Sequence, residues 1–265
     1  MNNKKIFFLS HGGGPLPVLG EKSHKELVEN LERITQEIGK PSAILVISAH
    51  WEESVATVTS AINPDLIYDY YGFPQESYSI KYPCPGNPKL AKQVWQKLKD
   101  ANIQSKLDGQ RGFDHGLFIP LKIMYPEADI PCVQLSLLNN LNPQQHIAIG
   151  KALSSIEYEN LLIIGSGFSF HNMAAFFAKE TEETKDKNNQ FERWLIDTCS
   201  NHHINEIERE NRLTNWSSAP HARYCHPREE HLLPLHVCYG FAQRACDLYY
   251  ELHILNKKAS MYLWK

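Results

Sequence analysis

Ile6-Phe7-Phe8-Leu9, followed at once by Ser10-His11-Gly12-Gly13-Gly14-Pro15, decides the fold. Four apolar residues in a row are too few for a globular helix. A short run that is apolar at every position fits a strand covered on both faces. The glycines and proline behind it turn the chain sharply. The same pattern returns at 43–47, closed by Ser48-Ala49-His50-Trp51, and at 161–164, closed by Gly165-Ser166-Gly167; 130–137 is a further core strand. Residues 54–60 and 260–264 read as additional strands. Between the strands lie helical patterns. Ser23 to Glu26 matches a capping box, and Leu27, Leu31, Ile34 and Ile38 follow at helical spacing until Gly39 and Pro41 stop them. Leu90, Val94 and Leu98 mark a second helix and 190–200 a third. Pro227 is expected to open another that carries Leu232, Leu233 and Val237. The charged stretch 179–189 reads as a solvated loop or helix end. Buried strands alternating with amphipathic helices imply an α/β fold, a three-layer α/β/α sandwich around a mostly parallel, mixed sheet, with residues 1–265 as a single domain.

Composition narrows the function classes. The chain has 265 residues, 42% hydrophobic and 22% charged, and 27 Lys+Arg against 30 Asp+Glu leave a net charge of −3. That is ordinary globular composition, and without a basic block it argues against nucleic acid as a partner. The apolar stretch 161–178 contains two glycines, two serines, a His and an Asn, so it does not read as a membrane span. The four apolar residues after Lys5 are too few for a signal peptide. None of the six cysteines forms a Cys-x-x-Cys pair, so a zinc ribbon and a thioredoxin-type site are both unsupported. The expectation is a soluble, cytoplasmic protein with reduced thiols.

The informative number is 13 His. In open α/β sheets, ligands bind at the carboxyl ends of the strands. His11, His50 and His171 each follow a core strand within a few residues, beside Gly, Ser or Ala. A lone His is most often a hydrogen-bonded structural residue. Three at equivalent strand ends, with His231 further on, form a potential metal site, because neutral imidazole ligates Zn, Fe, Cu and Ni. His24, His146, His202, His203 and His253 sit in polar or helical surroundings and receive no role.

Five segments occur in order: 10–15 (SHGGGP), 48–52 (SAHWE), 112–116 (GFDHG), 165–172 (GSGFSFHN) and 226–235 (HPREEHLLPL). Together they resemble the class III extradiol ring-cleavage dioxygenases of the subunit-B type, in the 4,5-DOPA dioxygenase-like branch. The resemblance spans residues 6 to about 240. It implies a non-haem Fe(II) site, a small catecholic substrate and O2, and a product of the muconic semialdehyde type containing both oxygen atoms. It places His11, His50 and His231 on the metal, with His171 either a fourth metal-bound group or the acid/base residue. His115 is the other acid/base candidate, although Asp114 and His115 could simply pair within a turn. Glu230, taken to lie on a helix beside His231, is expected to orient a ligand rather than bind the ion. Zn²⁺ outcompetes Fe²⁺ at nitrogen ligands, so zinc is expected in the same site of purified protein.

Other features are secondary. Tyr68, Tyr70, Tyr71 and Phe73 form a possible aromatic wall, and His221 and His226 flank the last motif. The main rival reading is a zinc hydrolase using Glu52 or Glu230 as general base. A non-catalytic metal-binding relative is the third.

Overall fold

The computed structural model describes residues 4–265. Its strands are β1 (Lys5–Ser10), β2 (Ala43–Glu53), β3 (Ala56–Thr59), β4 (Leu66–Ile67), β5 (Ser105–Asp108), β6 (Phe113–Asp114), β7 (Cys132–Leu138), β8 (Leu161–Gly167), β9 (Leu248–Ile254) and β10 (Lys257–Trp264). Eight of them form one sheet in the order β5-β3-β7-β2-β8-β1-β10-β9. The central four, β7, β2, β8 and β1, run parallel. β10 closes β1 antiparallel and β9 follows it. At the other edge β3 meets β7 antiparallel and carries β5 in parallel. β4 and β6 make a separate two-stranded ladder.

The helices are α1 (Lys25–Ile38), α2 (Pro88–Asp100), α3 (His115–Met124), α4 (Pro143–Leu153), α5 (Met173–Phe177), α6 (Glu182–Ser200), α7 (Glu206–Thr214), α8 (Ala222–Cys225) and α9 (Leu233–Ala242). Strand alternation distributes the core between two layers. Ile6 and Phe8 join Leu45, Ile163 and the apolar faces of α2, α4, α6 and α9. Phe7 and Leu9 join Val46, Ile164 and the faces of α1 and α3. Both faces are therefore dry, which is why the strands are apolar at every position. Each fully buried Leu or Ile contributes about 1.5–3 kcal/mol relative to exposure. The α/β/α sandwich around a mixed sheet with a parallel centre is as expected. α4 and α9 touch backbone to backbone: a Cβ on Gly240 would lie 2.2 Å from the Ile147 carbonyl oxygen, and one on Gly150 2.2 Å from that of Val237.

Several local expectations are corrected. Ser23 does not cap α1: its hydroxyl bonds His24 Nδ1, and a 3-10 turn at Lys22–His24 leads into the helix. β2 does not stop at Ser48. It continues through His50 to Glu53, with its register on β7 shifting between Ile47 and Glu52. Of the two alternatives for the charged stretch after Lys179, the helix end holds and the loop does not: Thr181 and Thr184 form a reciprocal cap and α6 opens at Glu182. Pro227 opens no helix. α9 starts at Leu233 with Pro234 in its first turn, which leaves 227–232 as a turn.

Candidate metal centre

The carboxyl ends of β1, β2 and β8 bring the site together. The His11 N–H donates to the Gly167 carbonyl at 2.9 Å, tying the end of β1 to the end of β8. His50 lies on β2 at the register shift. His231 sits in the turn before α9, and its carbonyl accepts from Phe168 N–H at 2.9 Å. This approach needs glycine at 167, because a Cβ there would stand 2.1 Å from the His231 carbonyl oxygen. The Gly165-Ser166-Gly167 strand end thus also seats a residue more than sixty positions further along the chain.

Ligand atoms of His11, His50 and His231 all lie within 4.8 Å of one another. Nε2 of His11 and Nε2 of His50 are 3.2 Å apart. Nδ1 of His231 bonds Glu230, and its buried Nε2 has no hydrogen-bond partner. Buried ring nitrogens left without partners are uncommon and need a reason. Two imidazole nitrogens sharing one ion at ~2.0–2.1 Å with a near-right angle stand about 3 Å apart, so a cation fits this arrangement. Three neutral nitrogen donors suit Fe(II) and Zn(II) alike. The rings are held neutral. Burial, then the neighbouring imidazoles, keeps His11 and His50 well below the usual histidine value, and burial followed by His171 brings His231 down to about 3.

Two carboxylates flank this trio. Glu230 Oε1 lies 3.0 Å from His231 Nδ1 and 3.2 Å from His171 Nδ1. Burial pushes the Glu230 carboxyl up, but its hydrogen bonds to those two imidazoles outweigh burial and hold it well below the usual range. The His171 ring stacks on His231, 3.4 Å between centroids and 14° from parallel. Glu230 and His231 therefore share no helix, contrary to expectation, and the turn aims both side chains at one place.

On the other flank, Asp69 Oδ1 lies 2.8 Å from His115 Nδ1 and accepts the His115 backbone N–H at 3.0 Å. Its Oδ2 stands 3.6 Å from His50 Nδ1. Burial, the largest single influence, raises the Asp69 carboxyl, but the side-chain bond from His115, the charge of that ring and the backbone N–H bonds together outweigh it and hold the carboxyl below its usual value. Asp114 does not pair with His115. It is fully buried and bonded to Ser48 Oγ, the Gln134 amide and Arg111. Asp69 is the functional-site residue that sequence reasoning missed. The one available signal was a carboxylate inside the Tyr68–Phe73 aromatic cluster.

The remaining residues separate cleanly. Arg228 forms a two-pronged ion pair with Glu52 at 2.6 Å and stands 3.4 Å from Glu230 Oε2. His24, given no role, is buried and its Nε2 accepts from Gly13 N–H at 2.9 Å, bracing the loop behind His11. His146 is buried too and bonds the Leu138 N–H. His226 Nε2 bonds the Ser169 carbonyl at 2.6 Å, away from the trio. His202, His203, His221 and His253 are exposed. Of the aromatic cluster, Tyr70 packs edge-on to His115, Phe73 packs on Tyr70, and Tyr71 is 91% exposed.

Such a centre, built from strand-end imidazoles with paired carboxylates behind them, defines a metal-dependent enzyme on an α/β sandwich. Residues 5–262 match the family described as the catalytic LigB subunit of aromatic ring-opening dioxygenase. The chain belongs to that family and is, in class, an extradiol ring-cleavage dioxygenase. It is 39% identical over 251 residues to "Dioxygenase tasH" of Hapsidospora irregularis, covering 89% of this chain and 78% of that protein. It is 38% identical over 248 residues to "4,5-DOPA dioxygenase extradiol" of Beta vulgaris, covering 91% and 88%. Among solved structures, the uncharacterized protein JW3007 from Escherichia coli K12 superposes with a TM-score of 0.75 at 26% identity, over 98% of this chain and 99% of that one.

Proposed function

We propose that residues 1–265 form one catalytic domain, a non-haem Fe(II)-dependent extradiol dioxygenase that opens a catechol-type substrate of the DOPA kind. The observation that carries this is the convergence of His11, His50 and His231 nitrogens in one cluster where buried His231 Nε2 has no protein partner. The relatives' names supply the substrate class. Six free cysteines agree with a reducing, cytoplasmic setting.

In this reading His11, His50 and His231 hold the ion, and their neutrality leaves its charge undiminished to favour a catecholate. Iron(II), when bound, would supply the chemistry with dioxygen that no side chain here provides. His171 and His115 then move protons. Each has Nδ1 on a carboxylate, Glu230 or Asp69, so each presents Nε2 as the available site. His171 takes a hydroxyl proton as the catechol binds, and a proton returns to the departing oxygen later. Tyr70 packs edge-on against His115 and covers that side of the ring.

The hydrolase alternative needs a carboxylate free to act on water. Glu52 is engaged by both arms of Arg228, and Glu230 by two imidazoles.

The test is oxygen uptake by anaerobically Fe(II)-loaded protein across a panel of catechols, with a yellow semialdehyde product. Absence of uptake, together with ester or amide hydrolysis by the zinc form, would replace this reading with the hydrolase. In the same assay His231→Ala should lose bound metal, while His171→Ala should keep it and lose at least a hundredfold in turnover. Parallel loss of metal in both would make His171 a ligand.

A further inference from the structure

The geometry points to Asp69 as a positioning residue that sets two imidazoles at once, His50 on the metal side and His115 on the proton-transfer side. This rests on the roles just proposed for those two histidines. Each Asp69 oxygen faces a different ring: Oδ1 is 2.8 Å from His115 Nδ1 and Oδ2 is 3.6 Å from His50 Nδ1. The two rings lie 3.9 Å apart between centroids. Ligand atoms of His50, Asp69 and His115 all lie within 4.8 Å of one another, as do those of the His11, His50 and His231 trio. Asp69 is itself fixed, because the backbone N–H of His115, the first residue of α3, donates to Oδ1 at 3.0 Å.

The consequence follows from donors and acceptors. An ionised carboxylate only accepts, so the His115 ring, bonded to it at 2.8 Å, carries its proton on Nδ1; His50 Nδ1, at 3.6 Å, lies beyond hydrogen-bond length, and there the same negative charge favours the Nδ1–H form. The lone pair of each is then on Nε2. For His50 that nitrogen points to His11 Nε2, 3.2 Å away, where an ion would be shared. For His115 it is the nitrogen that makes no protein hydrogen bond among the described residues. Carboxylates placed behind imidazoles in this way fix the tautomer and raise ring basicity, and losing them typically costs about 10–100-fold in metal affinity or activity. Asp69 mirrors Glu230, which faces His231 and His171 across the pocket. One carboxylate therefore stands behind each pair of one ligand and one proton-transfer imidazole.

Asp69→Asn discriminates because it keeps volume and one acceptor. With its oxygen still on His115, the new amide NH₂ faces His50 Nδ1 from 3.6 Å and favours a lone pair there, which shifts the His50 proton toward Nε2 and opposes ligation. We expect ¹⁵N-histidine NMR of metal-free protein at pH 7.5 to show His50 and His115 as Nδ1–H tautomers in the native chain and His50 as Nε2–H in Asp69→Asn. Zinc affinity, measured against a competing chelator, should fall about 10–100-fold, and Asp69→Glu should restore the Nδ1–H form. At saturating Fe(II), Asp69→Asn should lower kcat at least tenfold, but less than twofold when His115 is already Ala. Native rings with Nε2–H, an unchanged zinc affinity, or the same kcat factor in both backgrounds would each overturn the proposal. The native tautomers decide the matter even where a variant fails to fold. If the native protein turns over no catechol, the dioxygenase reading falls, and the NMR and zinc titrations still decide the role of Asp69.

Discussion

At the scale of single residues, the site depends on short distances that one atom can spoil. Gly167 is the clearest case. Replacing it with Ala puts a methyl 2.1 Å from the His231 carbonyl, so the turn must retreat and take the His231 ring with it. Displacement of a reacting group by about 1 Å can cost about 100-fold in rate. Gly167→Ala should therefore lower zinc affinity and turnover at least tenfold while far-UV circular dichroism stays native. Unchanged affinity would mean that this contact does not seat His231. His11, His50, His171 and His231 were legible because each belongs to a strand end or a five-segment pattern. Asp69 was not, because its partners His50 and His115 come from β2 and the start of α3, and no local spacing encodes that meeting. His24 escaped for the same reason: its bond to Gly13 is visible only once the chain has doubled back.

Elements tell a similar story. Continuous apolar runs revealed the four central strands, since a strand buried on both faces has no polar side to confuse the pattern. Boundaries were harder where tertiary contacts outweighed local preference. Pro227 is a sound first-turn residue, but the turn it belongs to is occupied in seating His231 and Glu230, and α9 waits for Leu233. The 179–189 stretch reads as a solvated loop or a helix end, and the helix end is what forms, because Thr181 and Thr184 cap α6 there. α9 also illustrates how helices position the site from behind. Its contact with α4 runs through Gly150 and Gly240, and Gly240→Ala brings a methyl 2.2 Å from the Ile147 carbonyl oxygen. Overpacking of this kind costs about 1–3 kcal/mol. The thermal midpoint should drop by several degrees, with zinc affinity changed much less than in Gly167→Ala. A Tm equal to native would show that α4 and α9 part without penalty.

For the whole molecule, buried ionisable groups shape stability against pH. Burial brings His24 and His146 down to about 4 and His226 down to about 3. In the unfolded chain each takes up its proton near ~6.5. Below that value the unfolded state binds more protons, so stability is complete above about pH 6.5 and is lost progressively as pH falls toward 4 and 3. Glu192 acts in the opposite direction. Burial raises it to about 7, while an unfolded Glu ionises near ~4.3, so its contribution is complete below that and is lost as pH rises through 7. Urea midpoints of metal-free protein should thus decline on the acid side. Glu192→Gln should exceed the native protein at pH 8 and match it at pH 4. Equal midpoints at pH 8 would show that Glu192 is no liability.

β1 lies between β8 and β10, and the hydrogen bond from Ser10 Oγ to the Ser260 carbonyl joins residues 250 positions apart. A ribosome releases the apolar β1 long before either neighbour exists, so the nascent chain must shelter Phe7 and Phe8 elsewhere or be held by a chaperone. Loading with metal then belongs after translation, when the first strand has finally been enclosed.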